Sequence, residues 1–112
     1  MSVTRNYLGM TITLVGATVT NLYTALQAAL TAAEGGVAPP TAREYTIQVD
    51  AASPASVLVG DAKVKASPQR CSYSLVAGQS KTFRSSGVQD CPLLPVYLLS
   101  SGAAIVNVEV WC

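Results

Sequence analysis

The stretch Ala104 to Trp111 sets Val106, Val108 and Val110 against Asn107, Glu109 and Trp111. That period of two suits a strand with one buried face and does not suit a helix. It assigns the valines to a core and puts Trp111 on the outer face beside Glu109. The same rhythm runs through Arg43 to Asp50, where Tyr45, Ile47 and Val49 oppose Glu44, Thr46, Gln48 and Asp50. It also begins the segment Thr11 to Thr20, until Gly16 breaks it. A chain built from such runs must fold mainly as antiparallel sheet.

Shorter runs fill the rest. Ser56 to Val59 reads as a strand ended by Gly60-Asp61, and Lys63 to Ala66 either continues it or forms the next one. Tyr73 to Val76 and Lys81 to Arg84 flank Ala77-Gly78-Gln79-Ser80, which predicts a hairpin in which Gly78 supplies a positive φ. Val96 to Leu99 and Ala104 to Trp111 flank Ser100-Ser101-Gly102, which predicts a C-terminal hairpin. Ser85 to Asp90 has the composition of a loop.

One segment departs from this rhythm. Leu22, Leu26 and Leu30 recur every four residues with Ala25, Ala29 and Ala33 beside them, the stripe of an amphipathic helix. Thr20 or Asn21 can cap its start, and Gly35-Gly36 ends it because glycine takes the left-handed conformation without steric cost. Val37-Ala38-Pro39-Pro40 then makes a stiff connector. The fold class is mainly β, a small β-sandwich or barrel with one α-helix, about residues 21–34, packed against it. The 112 residues suit a single domain, 1–112, with residues 1–8 as an extended N-terminal arm.

Composition bears on function. Half of the residues are hydrophobic, 12% are charged, and the net charge is +1. Usual charged content is about a quarter, so part of this surface is either covered by a partner or clothed in Ser and Thr. The cations, Arg5, Arg43, Lys63, Lys65, Arg70, Lys81 and Arg84, form no dense run, which argues against nucleic acid as a partner. Thr and Gly interrupt Met1 to Val19 too often for an export signal, and no membrane span is expected.

Catalytic groups are scarce. There is no histidine, the usual acid–base residue. Glu34, Glu44, Asp50, Asp61, Asp90 and Glu109 fall singly, in positions suited to solvated or capping roles. Cys71, Cys91 and Cys112 have no histidine to activate a thiolate and no C-x-x-C spacing for zinc. Three reduced thiols, or a Cys71 to Cys91 disulfide if their strands pair, are the two readings of the cysteines. No glycine pattern cradles a phosphate. No enzyme activity, cofactor or metal is expected.

The tyrosines Tyr7, Tyr23, Tyr45, Tyr73 and Tyr97 are spread over different elements and read as packing. Trp111, beside the C-terminus, either lies under the helix or serves an intermolecular contact.

Arg43 to Asp50, Val59-Gly60-Asp61, Leu75-Val76-Ala77-Gly78-Gln79-Ser80 and Pro95-Val96-Tyr97-Leu98 together resemble small virion proteins of tailed bacteriophages. In those proteins a short strand ends in Gly-Asp, a hairpin carries Leu-x-x-Gly-x-Ser, and a late strand has an aromatic residue followed by an apolar one. The resemblance covers the last two-thirds of the chain and leaves the helix and the cysteines unmatched. It implies a capsid decoration (cement) protein, a homo-oligomer such as a trimer, bound outside the major capsid protein lattice. The location would be the virion, assembled in the host cytoplasm. Arg5 and Tyr7 on the N-terminal arm, with Trp111, are the candidate interface residues. A neck or tail subunit of the same virion, and a carbohydrate-binding or adhesin-like β-sandwich, are the alternatives.

Overall fold

The computed structural model describes residues 7–33, 35–66, 69–85 and 91–111. Two four-stranded antiparallel sheets face each other. The strands that build them are β1 (Tyr7–Leu14), β2 (Thr20–Asn21), β4 (Glu44–Val49), β5 (Val57–Gly60), β8 (Tyr73–Leu75), β9 (Ser80–Arg84), β11 (Tyr97–Ser100) and β12 (Ala104–Trp111). Short β3 (Thr41–Ala42) pairs with β10 (Cys91–Pro92), and β6 (Lys65–Ala66) pairs with β7 (Gln69–Arg70). One sheet has the order β1-β12-β4-β9 and the other β2-β11-β5-β8.

The pairing has a simple logic. The first strand pairs with the last, β2 with β11, β4 with β9 and β5 with β8. The chain is one long hairpin whose tip lies between β5 and β8, rolled so that successive pairs alternate between the two sheets. That is the jelly-roll arrangement of a β-sandwich.

This topology separates both hairpins that the turn residues predict. β8 and β9 lie in different sheets, as do β11 and β12. The glycine-containing connections are there, and Gly78 has a φ of 86°, but they carry the chain from one sheet to the other. Each strand of the two sheets finds its partners far away in sequence, and that pairing brings both sets of alternating apolar residues into one core.

The alternation itself is obeyed. Val106, Val108 and Val110 are buried with Tyr45, Ile47 and Val49, and on β1 Leu8, Ile12 and Leu14 join them. Tyr7 and Leu8, placed by the sequence at the end of an arm, are in β1, in register with Trp111 and Val110; residues 1–6 are outside the described residues.

Helix α1 (Leu22–Ala33) follows β2. The Asn21 side-chain oxygen accepts the Thr24 backbone N–H at 2.9 Å, satisfying a first-turn donor. At the other end Gly35 takes a φ of 81° and its N–H bonds to the Leu30 carbonyl. Leu22, Leu26 and Leu30 are fully buried. The helix packs on β1 and β2, the two strands that edge the sheets on one side, and so closes that side of the sandwich. Gln27 ties down the connector that follows, accepting from the Ala38 N–H and donating to the Gly36 carbonyl.

The opposite side is closed by aromatic rings. Phe83 on β9 stacks on Tyr45 at 4.7 Å and meets Tyr73 of β8 edge-on at 5.4 Å. Lys81 holds its ammonium 4.5 Å from the Tyr73 ring centre. Lys81 is in register with the buried Ile47, so a cation is turned inward on an edge strand, a device that disfavours edge-to-edge pairing. Burial among these groups pushes the Tyr45 hydroxyl up to about 12, with the Cys91 thiol and Tyr73 adding to the shift.

Candidate interaction surface

The outer face of the β1-β12-β4-β9 sheet carries two of the candidate interface residues, Tyr7 and Trp111. Strand alternation places one residue of each strand in successive cross-strand rows. The first row is Tyr7, Trp111, Glu44 and Arg84, and the second is Gly9, Glu109, Thr46 and Thr82. The third is Thr11, Asn107, Gln48 and Ser80.

These rows are internally bonded. Thr11 donates its hydroxyl to the Asn107 side-chain oxygen at 2.9 Å, and the Asn107 amide donates to Asp50 at 3.0 Å and to Gln48 at 3.4 Å. The Thr46 and Thr82 hydroxyls meet at 2.8 Å. Arg84 donates to Glu44 in an exposed ion pair. The Asn107 amide, followed by the Ala52 N–H, holds the Asp50 carboxyl below the ordinary carboxylate range. Such side-chain ladders add a few tenths to about 1 kcal/mol per pair and leave Glu109 as the one charged residue of the second and third rows.

At one end of the face stand Tyr7 and Trp111, in direct register. Their ring centres are 4.5 Å apart with planes at 54°, and the residues are 44% and 45% exposed. The ring partner of Trp111 is Tyr7, and much of its surface faces solvent. Beside the pair, Gly9 leaves its outer-face position without a side chain, and the Tyr7 hydroxyl leans over it, 2.6 Å from where a Cβ would stand. The result is a shallow depression of about 290 Å³ bordered by Tyr7, Gly9, Thr11, Asn107 and Glu109.

The three candidate interface residues therefore divide. Tyr7 and Trp111 are brought together, and Arg5 lies outside the described residues. The rows of Thr, Asn and Gln beside them were visible in the sequence only as the polar half of each alternation. Cys71 and Cys91 are not bridged to each other. Cys71 follows β7 and packs its backbone against Gly60, with the Gln69 amide 3.4 Å from its sulfur, whereas Cys91 pairs with Ala42 in the β3–β10 ladder. Their elements do not pair, so the condition for that bridge is not met. Among the described residues no three His, Cys, Asp or Glu side chains converge on a point where a metal could sit. No helix there is long and apolar enough to cross a membrane.

No protein family and no curated protein matches the chain. Among solved structures, it is similar to a subunit of Bacillus endospore appendages, described as a novel family of disulfide-linked pili. That likeness has 12% identity and a TM-score of 0.30, covering 99% of this chain and 96% of the other.

Proposed function

We propose that the chain is a non-enzymatic structural subunit of a virion, a decoration protein that binds the outer surface of the major capsid protein lattice as a homo-oligomer and stabilises the head. The observation that supports it best is the outer face of the β1-β12-β4-β9 sheet. Its central Thr, Asn and Gln side chains are bonded to one another or to Asp50. It carries two exposed aromatic rings at one end.

A face of that kind binds by area and shape. Side chains already bonded to neighbours lose little on being covered, since no donor is stripped of its partner. Tyr and Trp supply the large, rigid anchors on which protein contacts concentrate their energy. Repetition over a lattice multiplies a modest contact into a firm one. The jelly roll is an architecture of viral capsid domains as well as lectins, and fold alone assigns neither role. The resemblance of the β-strand segments to tailed-phage virion proteins favours the first.

The test is titration of undecorated heads of a phage encoding the chain. Binding saturates, and Trp111→Ala weakens it by about tenfold or more, the cost of a lost anchor. Heads that retain no chain at any concentration would refute the reading.

The depression at Gly9 favours a second reading, saccharide binding, because exposed rings beside a carboxylate and a hydroxyl suit the apolar face and the hydroxyls of a sugar. Retention on a glycan column that is abolished by Trp111→Ala, with no binding to heads, selects it.

A further inference from the structure

Gly9 is the third residue of the eight-residue strand β1, a position where glycine packs no side chain and weakens the strand. A glycine inside a strand usually marks a bulge, a left-handed φ or the close approach of another group. The pairing of β1 with β12 runs unbroken from Tyr7 and Trp111 to Leu14 and Ala104, so there is no bulge. Among the described glycines, positive φ falls at Gly35, Gly36 and Gly78, and not at Gly9. Close approach is the reason that is left.

The group that approaches is the Tyr7 ring. A Cβ at Gly9 would stand 2.6 Å from the Tyr7 Oη, 3.1 Å from its Cζ and 3.3 Å from its Cε2, and these three nearest atoms all belong to that one side chain. The ring is laid along its own strand, over the place where the next outward side chain would stand. The same ring meets Trp111 across the strand pair, centre to centre at 4.5 Å. On its other side Trp111 is in register with Glu44, which Arg84 engages. Tyr7 is therefore the aromatic wall of Trp111, and Gly9 is what lies under that wall.

We infer that Gly9 is a positioning residue for the aromatic anchor: its missing side chain is the seat that holds the Tyr7 ring in one orientation against Trp111. An exposed aromatic side chain otherwise exchanges among staggered rotamers, and freezing it on binding costs affinity. With Gly9 beneath it and Trp111 beside it, the Tyr7 ring is held before any partner arrives, and the pair is presented ready-made. A residue of ordinary strand type at position 9, such as Thr or Val, would suit the sheet better and abolish the seat. The inference rests on the reading of this sheet face as a binding surface and adds the residue that prepares it.

The experiment is a double-variant cycle on the full chain, read by near-ultraviolet circular dichroism, by acrylamide quenching of tryptophan emission and by titration of undecorated heads. Trp111 is the only tryptophan, so its emission reports on the anchor alone. Gly9→Ala displaces only the far end of one exposed side chain, so the thermal midpoint holds or rises while the dichroism of the ring pair is lost and quenching increases. Binding to heads weakens about two- to tenfold, which is what the regained freedom of one side chain costs. Tyr7→Phe removes the atom at 2.6 Å, so Gly9→Ala does less harm in that background, and in a Tyr7→Ala background it does none. An unchanged ring-pair signal in Gly9→Ala, a lost signal with head binding intact, or an equal loss with Tyr7→Ala already present overturns the inference. A wild type that binds no heads, with the spectroscopic cycle as expected, removes the capsid partner and leaves the seat.

Discussion

Leu26 sits at the centre of the helix stripe, fully buried between Leu22 and Leu30, and Leu26→Ala separates two accounts of why the helix exists. Alanine is the better helix former, so a helix held by local propensity would tolerate the change or gain from it. A helix held by packing between the sheets loses the transfer energy of the removed atoms and keeps a cavity. Buried Leu→Ala changes cost about 3–5 kcal/mol. The site is flanked on both sides by leucines whose own positions are fixed by β1 and β2, so little collapse is available and about 3 kcal/mol is the expected floor. Against a total stability on the order of 10 kcal/mol for a domain of this size, that is a large fraction. In urea, with a slope of about 1.5 kcal/mol per molar, the midpoint falls by about 2 M. Ala28→Gly on the exposed side of the same helix is the control and costs about 1 kcal/mol through propensity alone. Equal losses in the two variants would refute the claim that the helix is part of the core.

Further outcomes follow from backbone and titration. Ala17 has a φ of 61°, so Ala17→Gly raises the thermal midpoint, by a gain of about 0.5–1 kcal/mol, whereas Gly78→Ala, in open space with a φ of 86°, loses about 1 kcal/mol. Gly16→Ala drives a Cβ into the Gly102 backbone and costs about 1–3 kcal/mol, read in the same melts. The raised Tyr45 value means that the folded state keeps a proton that the unfolded chain releases near pH 10. The contribution of Tyr45 is therefore complete below pH 10 and falls as pH rises toward about 12; ultraviolet titration shows a late transition that is absent in Tyr45→Phe. The lowered Asp50 value has the opposite sign, so its contribution is present above the ordinary carboxylate range and is lost as pH falls through the folded value. Acid melts of Asp50→Asn lack that part of the loss.

The sequence carries the faces of the strands but not their partners. Val106, Val108 and Val110 point inward as their alternation requires, and the leucine stripe locates the helix to within a residue of its observed limits. A period of two says which side is buried and is silent about what lies alongside. Ser100-Ser101-Gly102 and Ala77-Gly78-Gln79 therefore look like hairpin turns, when they are corners between sheets. The same silence hid the candidate surface. Tyr7 and Trp111 stand at opposite ends of the chain and become neighbours only through the pairing of β1 with β12.

The proposed decoration role stands or falls on binding to undecorated heads. With the purified chain added in increasing amounts and the sedimented complex quantified, a decoration protein gives a plateau at a fixed ratio to the major capsid protein. Trp111→Ala reaches that plateau only at higher concentration. Uptake that never saturates, or none at all, would contradict it.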